Sequence, residues 1–266
     1  MNSAYVFLSL MALIVNCQAI TVTPTSTVSL GGCQNSAVQA ETTITFGGTL
    51  TTITSGDIGV SPGTSITGSY RLVSGTAHSN DAYAKQCTAD MKVAYDQAHA
   101  QKCTQTIASD LSGQRLIAGV YCTPSGKFIL SAGSLTLDAL GNPFAEWVFQ
   151  TEETLITAGA TSVVLANMAR SEHVFWAIGT SVTLGSSSKM VGNLIAKVSI
   201  TFGSGSEIEG RGLAQAAVTF ASGSQSDKGM QIIGLPPVYV PTATRSIMES
   251  ESVATVIVPS TQNLRG

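Results

Sequence analysis

Charge is scarce in this chain. Of 266 residues only 11% are Asp, Glu, Lys or Arg, and the formal net charge is −3. No stripe of Lys and Arg is available to neutralise a phosphate backbone, which excludes nucleic acid as a partner. Histidine is nearly absent too: His78, His99 and His173 each lack a Ser or Cys partner in a motif. The acids Asp57, Asp138 and Glu146 are scattered, and the adjacent Glu152 and Glu153 would face opposite ways in a strand. A polysaccharide lyase or hydrolase needs its base and its metal or cationic groups gathered on one face, so this distribution argues against an enzyme. There is no Cys-x-x-Cys pair and no His-Cys cluster, so no metal and no cofactor is expected. Asn-x-Ser/Thr is missing as well, leaving no acceptor for N-linked glycans. The apolar run Tyr5 to Val15 is too short to span a bilayer and precedes Cys17-Gln18-Ala19, a small-residue cleavage pattern. Residues 1–19 therefore read as a secretory signal peptide. The mature chain would begin at Ile20, be secreted, and insert into no membrane.

Thr, Ser, Gly and Ala cover what charge does not, and they recur in order. Val182-Thr183-Leu184-Gly185, Ile200-Thr201-Phe202-Gly203 and Val218-Thr219-Phe220-Ala221 follow one another at a spacing of 18 residues. Such self-similarity marks a solenoid, in which each unit buries its apolar side against its neighbours. Eighteen residues is too short for a pair of helices, and two-residue alternation of β-branched and small residues points to stacked β-coils. The fold class is an all-β solenoid. Alternation turns Val182, Ile200 and Val218 inward with Leu184, Phe202 and Phe220. Thr183, Thr201 and Thr219 then form an outward column, with rungs roughly 4.7 to 4.9 Å apart. Its hydroxyls and methyls suit the templating of ordered water.

From Asn80 to about Ala100 the pattern changes to three- and four-residue steps: Tyr83, Cys87, Met91, Ala94, Tyr95 and Ala98. This is one amphipathic helix, capped by Asn80 or Asp81, whose stripe packs along the solenoid. Strands flank it, early over 20–75 and again through Leu116–Tyr121, Phe128–Leu130, Ser134–Leu137, Trp147–Gln150 and Thr154–Thr157. A loop around Arg170 to His173 interrupts the later coils. The β domain spans 20–234, and 235–266 reads as a flexible tail in which Val253–Val258 has strand character. Once the signal is removed, Cys33, Cys87, Cys103 and Cys122 remain, an even number suited to an oxidising compartment. Of the three pairings, Cys87 to Cys103 is disfavoured, because a continuous helix would separate them by about 24 Å. Of the two that stay open, Cys33–Cys87 with Cys103–Cys122 is the working assignment.

Several segments, in order, resemble the ice-binding proteins of the DUF3494 type. They are Asp57-Ile58-Gly59-Val60-Ser61-Pro62-Gly63 with Ile66-Thr67-Gly68, the helix around Ala94-Tyr95-Asp96-Gln97-Ala98, and Asp110-Leu111-Ser112-Gly113 running into Ala118-Gly119-Val120-Tyr121. Trp147-Val148-Phe149-Gln150, Val174-Phe175-Trp176, Gly192-Asn193-Leu194-Ile195-Ala196 and Gly210-Arg211-Gly212-Leu213-Ala214-Gln215 complete the likeness, over roughly residues 29–221. The resemblance implies a discontinuous three-sided β-helix, with a long helix alongside and the first and last coils brought together. It also implies secretion by a cold-exposed microorganism or small marine eukaryote, with ice and its ordered water as the partner of a monomer.

The resemblance further implies a flat ice-binding face that includes the strand at Ser204–Glu209. With Met190 and Ile208 inward, alternation sets Ser187, Gly205 and Gly223 outward, beside Lys189, Glu207 and Gln225. Thr161 and Val163 are the matching outward residues of the earlier coil. Long hydrated charges break flatness, which leaves the column Thr183, Thr201 and Thr219 as the regular alternative face. The charges Lys189, Glu207, Glu209 and Asp227 favour a different reading, a secreted adhesion or matrix module that binds a polysaccharide or cell surface. Trp147, Phe149, Phe175 and Trp176 read as core.

Overall fold

Short runs of alternating apolar and small or hydroxyl residues, punctuated by Gly and Ser, prescribe brief strands with one buried face. The computed structural model describes residues 27–221 and 231–233. The signal peptide expected over 1–19 and the tail expected over 235–266 lie outside them. Every strand pair among the described residues is parallel, and the pairings run in three series; strands are numbered here in chain order. The first series joins β9 (Phe128–Leu130), β12 (Leu155–Thr157), β15 (Val182–Leu184), β17 (Ser199–Phe202), β19 (Ala217–Phe220), β2 (Thr43–Ile53) and β4 (Ser65–Leu72). The second joins β7 (Arg115–Ile117), β10 (Ser134–Asp138), β13 (Ser162–Ala166), the first halves of β16 (Lys189–Ala196) and β18 (Glu207–Ala214), β20 (Gln231–Ile233), and the ends of β2 and β4. The third joins β6 (Gln105–Thr106), β8 (Gly119–Cys122), β11 (Trp147–Thr151), β14 (Val174–Ile178), the second halves of β16 and β18, β1 (Ser36–Ala40), β3 (Asp57–Val60) and β5 (Ala77–Ser79).

Spatial order therefore departs from chain order at one place. The strands before the helix stack beyond β18 and β19, with Val38 beside Gly212 and Thr43 beside Ala217, and not against β6 to β9. The expected run Leu116–Tyr121 divides into β7 and β8 at Ala118, where the chain passes from the second series to the third. The loop expected around 170–173 holds a single 3-10 turn, Ser171–His173.

Side chains turned inward by the three series form one core, with Ile44, Phe46, Leu155, Val182, Ile200, Phe202, Val218 and Phe220 on the first. The aromatics Trp147, Phe149 and Trp176 are buried as expected, and Phe149 stacks on Trp176 at 4.0 Å. A second cluster lies between the third series and helix α1 (Ala82–His99). Asp81 caps α1, accepting the Ala84 N–H at 2.9 Å. The stripe Cys87, Met91, Ala94, Tyr95 and Ala98 packs on Val148, Phe175, Ala177, Ile195 and Leu213. Cys33 is bonded to Cys87, tying the segment before β1 to the helix, and Cys103 to Cys122, tying the stretch after the helix to β8.

Candidate functional site

The first series carries the most regular surface. Its pairings align Thr183 with Thr201, Thr201 with Thr219, Thr219 with Thr45, and Thr45 with Thr67. The outward column read from the repeat is thus five threonines long, because two further rungs come from strands near the start of the chain. Thr183 and Thr67 are exposed, and the three between them are half-buried by their neighbours. Among the described residues, none of the five hydroxyls is engaged by another protein group. Beside this column run Ser199, Ala217, Thr43 and Ser65. On its other side the strands are followed by Gly185, Gly203 and Ala221. Gly203 is required there: a Cβ would stand 2.6 Å from the Leu184 carbonyl oxygen, so any side chain would push the coils apart. The surface is narrow, small in relief and uncharged. Past Thr183 the column continues as Ile156, 41% exposed, and Ile129.

Sequence reasoning reached Thr183, Thr201 and Thr219 and missed Thr45 and Thr67. Their signal is present, since Ile44-Thr45-Phe46-Gly47 and Ile66-Thr67-Gly68 repeat the rung pattern. They stand outside the 18-residue period, however, and only the stacking of distant coils brings them into the column.

The second series departs from expectation. Thr161 and Val163, expected outward, are buried at 2% and 5% exposure. The Thr161 hydroxyl donates to the Ala158 carbonyl at 2.9 Å, and Ser188 and Ser206 close the next two corners in the same way, onto Gly185 at 2.7 Å and Gly203 at 2.8 Å. Ser187 and Gly205 occupy left-handed corner positions, with φ of 58° and 64°, and lie before their strands begin. Counting alternation through such a corner misplaces residues, because the two-residue period holds only within a strand. Met190 and Ile208 are buried as expected. Gly223 lies outside the described residues, as do Gln225 and Asp227.

The outward residues of this series are Ser162, Lys189 and Glu207 in one column, with Val164 and Glu209 beyond it; Val191, which pairs with Glu209, is buried at 7% exposure. Lys189 Nζ meets Glu207 Oε2 at 3.1 Å, and Glu209 accepts the Ser171 hydroxyl at 2.8 Å. Charges here are held by one another and by Ser171, and their long side chains interrupt the run of small residues.

Titratable groups elsewhere serve the framework. Asp110 accepts the Ser112 and Ser131 hydroxyls, both at 2.5 Å, and these bonds hold its carboxyl at about 2. Asp138 accepts the Leu140 N–H at 2.9 Å, Asn167 Nδ2 at 2.8 Å and Arg115 Nε at 2.8 Å. Arg211 is buried, donates to Asn193 Oδ1 at 2.8 Å and to the Gln34 carbonyl, and desolvation lowers its pKa to about 10. Among the described residues, no group of three or more His, Cys, Asp and Glu is placed to hold a metal ion, and no helix is long and apolar enough to cross a membrane.

Known proteins share this architecture. The model of the ice-binding-like family matches residues 38–224. An ice-binding protein of Nostoc sp. (strain HG1) is 38% identical over 144 residues, covering 53% of this chain and 52% of that protein. One from Flavobacterium frigoris (strain PS1) is 31% identical over 189 residues, 64% of this chain and 65% of that protein. The chain thus spans between about half and two thirds of the length of these relatives. The crystal structure of an ice-binding protein from the Antarctic ascomycete Antarctomyces psychrotrophicus superposes with a TM-score of 0.70 at 34% identity, over 79% of this chain and 98% of that one. The chain described here belongs to the ice-binding-like protein family.

Proposed function

We propose that this protein is a secreted, non-catalytic ice-binding protein that adsorbs to ice through the column Thr183, Thr201, Thr219, Thr45 and Thr67. The single observation behind the reading is that register, with its hydroxyls unengaged by the protein. Rungs repeat at about 4.7 to 4.9 Å; each supplies a methyl that frames water and a hydroxyl that bonds to it. The ordered layer merges with the crystal, and the docked protein pins the surface so that growth between adsorbed molecules curves and slows. Rigidity matters, since many weak contacts must engage together without further ordering cost. We read the three series as the sides of a discontinuous three-sided solenoid over 20–234, with α1 alongside, which supplies that rigidity. The second-series positions Thr161, Val163, Ser187 and Gly205 are not part of the proposed surface.

Thermal hysteresis and ice-crystal morphology on the mature chain from Ile20, kept under oxidising conditions, test the proposal. Native protein should shape crystals and open a freezing gap. Thr201→Tyr, which lifts a ring above the middle of the column, should abolish both while leaving the circular dichroism spectrum unchanged. Native hysteresis in this variant would move the site to another face. A second reading, adhesion to a polysaccharide, is favoured by the neighbouring charges Lys189, Glu207 and Glu209. Round, freely growing crystals from folded protein together with a positive glycan panel would establish it.

A further inference from the structure

Behind the threonine column lies a second, aromatic one. Phe202, Phe220 and Phe46 each follow a column threonine and point into the core, where all three are buried. Ring centroids are 4.7 Å apart from Phe202 to Phe220, inclined by 7°, and 4.6 Å apart from Phe220 to Phe46, inclined by 9°. Tyr70 closes the stack over Phe46 at 4.7 Å, inclined by 32°. It stands in for a ring after Thr67, where the residue is Gly68: at φ of 91° its Cβ would lie 1.7 Å from the Phe46 carbonyl oxygen.

The stack crosses the one junction in this series where the paired strands are far apart in the chain, β19 against β2. Coil-to-coil connectivity limits slippage between β15, β17 and β19, but it does not act across this junction. A slip of one residue is excluded there, because it would expose the apolar side chains. A slip of two keeps apolar residues inward and is not excluded by pattern. It would set Phe46 beside Val218 and Thr45 beside Ala217, moving two of the five threonines about 6.6 Å out of line. Matching the rings rejects that register, since near-parallel stacking beyond mere burial contributes its own preference. Thr42 adds to the junction from outside, donating both its N–H and its hydroxyl to the Ala216 carbonyl at 2.8 Å.

We infer that the Phe202, Phe220 and Phe46 stack positions the binding surface, setting Thr45 and Thr67 in line with Thr201 and Thr219 across the junction between distant parts of the chain. This rests on the threonine column being the ice-contacting surface. The three phenylalanines are positioning residues and touch no ice themselves.

The test compares Phe46→Leu with Phe149→Leu. Phe149 is equally buried and stacked but belongs to the third series. Both variants should melt at lower temperature, and both are assayed near 0 °C where circular dichroism reports folded protein. Phe46→Leu should lose about tenfold in hysteresis, and amide exchange at Thr45 and Thr219 should rise at least about tenfold through local opening of the junction. Phe149→Leu should change neither, and Phe46→Tyr, which keeps the ring, should restore both. Native hysteresis and exchange in Phe46→Leu, or equal losses in Phe149→Leu, would overturn the inference. Should Phe46→Leu not fold, Phe46→Met takes its place with the same expected losses. Absence of hysteresis in the native protein would defeat the ice reading alone, since exchange at the junction tests the positioning independently.

Discussion

In the column proposed to bind ice, threonine combines strand preference with a methyl and a hydroxyl on one short, stiff side chain. Serine lacks the methyl, and valine lacks the hydroxyl. Thr183, Thr201 and Thr219 were readable from the repeat. Thr161 was misplaced by alternation carried through a corner, where a hydrogen-bonded residue resets the count. The five-rung column makes a residue-scale prediction: Thr45→Tyr should abolish hysteresis as completely as Thr201→Tyr, although Thr45 lies outside the period. Lys189→Ala should leave hysteresis at the native level and shift stability by no more than about 1 kcal/mol, as expected of an exposed ion pair. Loss of hysteresis in Lys189→Ala, with Thr45→Tyr unaffected, would place ice on the second series.

At the scale of elements, α1 was legible because three- and four-residue steps of apolar side chains have one physical reading, and Asp81 announces its start. The strands were legible as strands, but their ends were not: β7 and β8 part at Ala118 because the chain turns there from one series to another. The disulfide Cys33–Cys87 clamps α1 to the segment before β1 across 54 residues of sequence. Replacing both cysteines by Ala should cost about 2–4 kcal/mol in urea unfolding, chiefly by freeing the unfolded chain. Replacing Cys103 and Cys122, only 19 residues apart, should cost less, since a shorter loop loses less entropy. Equal costs would show that native-state contacts, and not loop length, decide.

At the scale of the whole molecule charge is scarce, and the column proposed to bind ice contains no ionisable group, so hysteresis should be level between about pH 5 and 9 while the protein remains folded. Stability should respond to acid. The Asp110 carboxyl is held at about 2 by the Ser112 and Ser131 hydroxyls, below its value of roughly 3.9 in an unfolded chain. Its contribution is therefore present above about pH 4 and is lost as pH falls toward 2. Melting temperature should decline through that window, and Asp110→Asn should flatten part of the decline.

Periodicity, being local, determined that the chain forms short repeating strands, which residues of the first-series rungs face inward, and where α1 lies. Those properties follow from side-chain alternation within a few residues. Tertiary structure alone decided that the coils before the helix stack beyond the last ones, making a three-rung column five rungs long. No local pattern encodes which distant strands share an edge: that choice rests on the fit of Phe46 against Phe220, on Thr42 against Ala216, and on the burial that the junction completes.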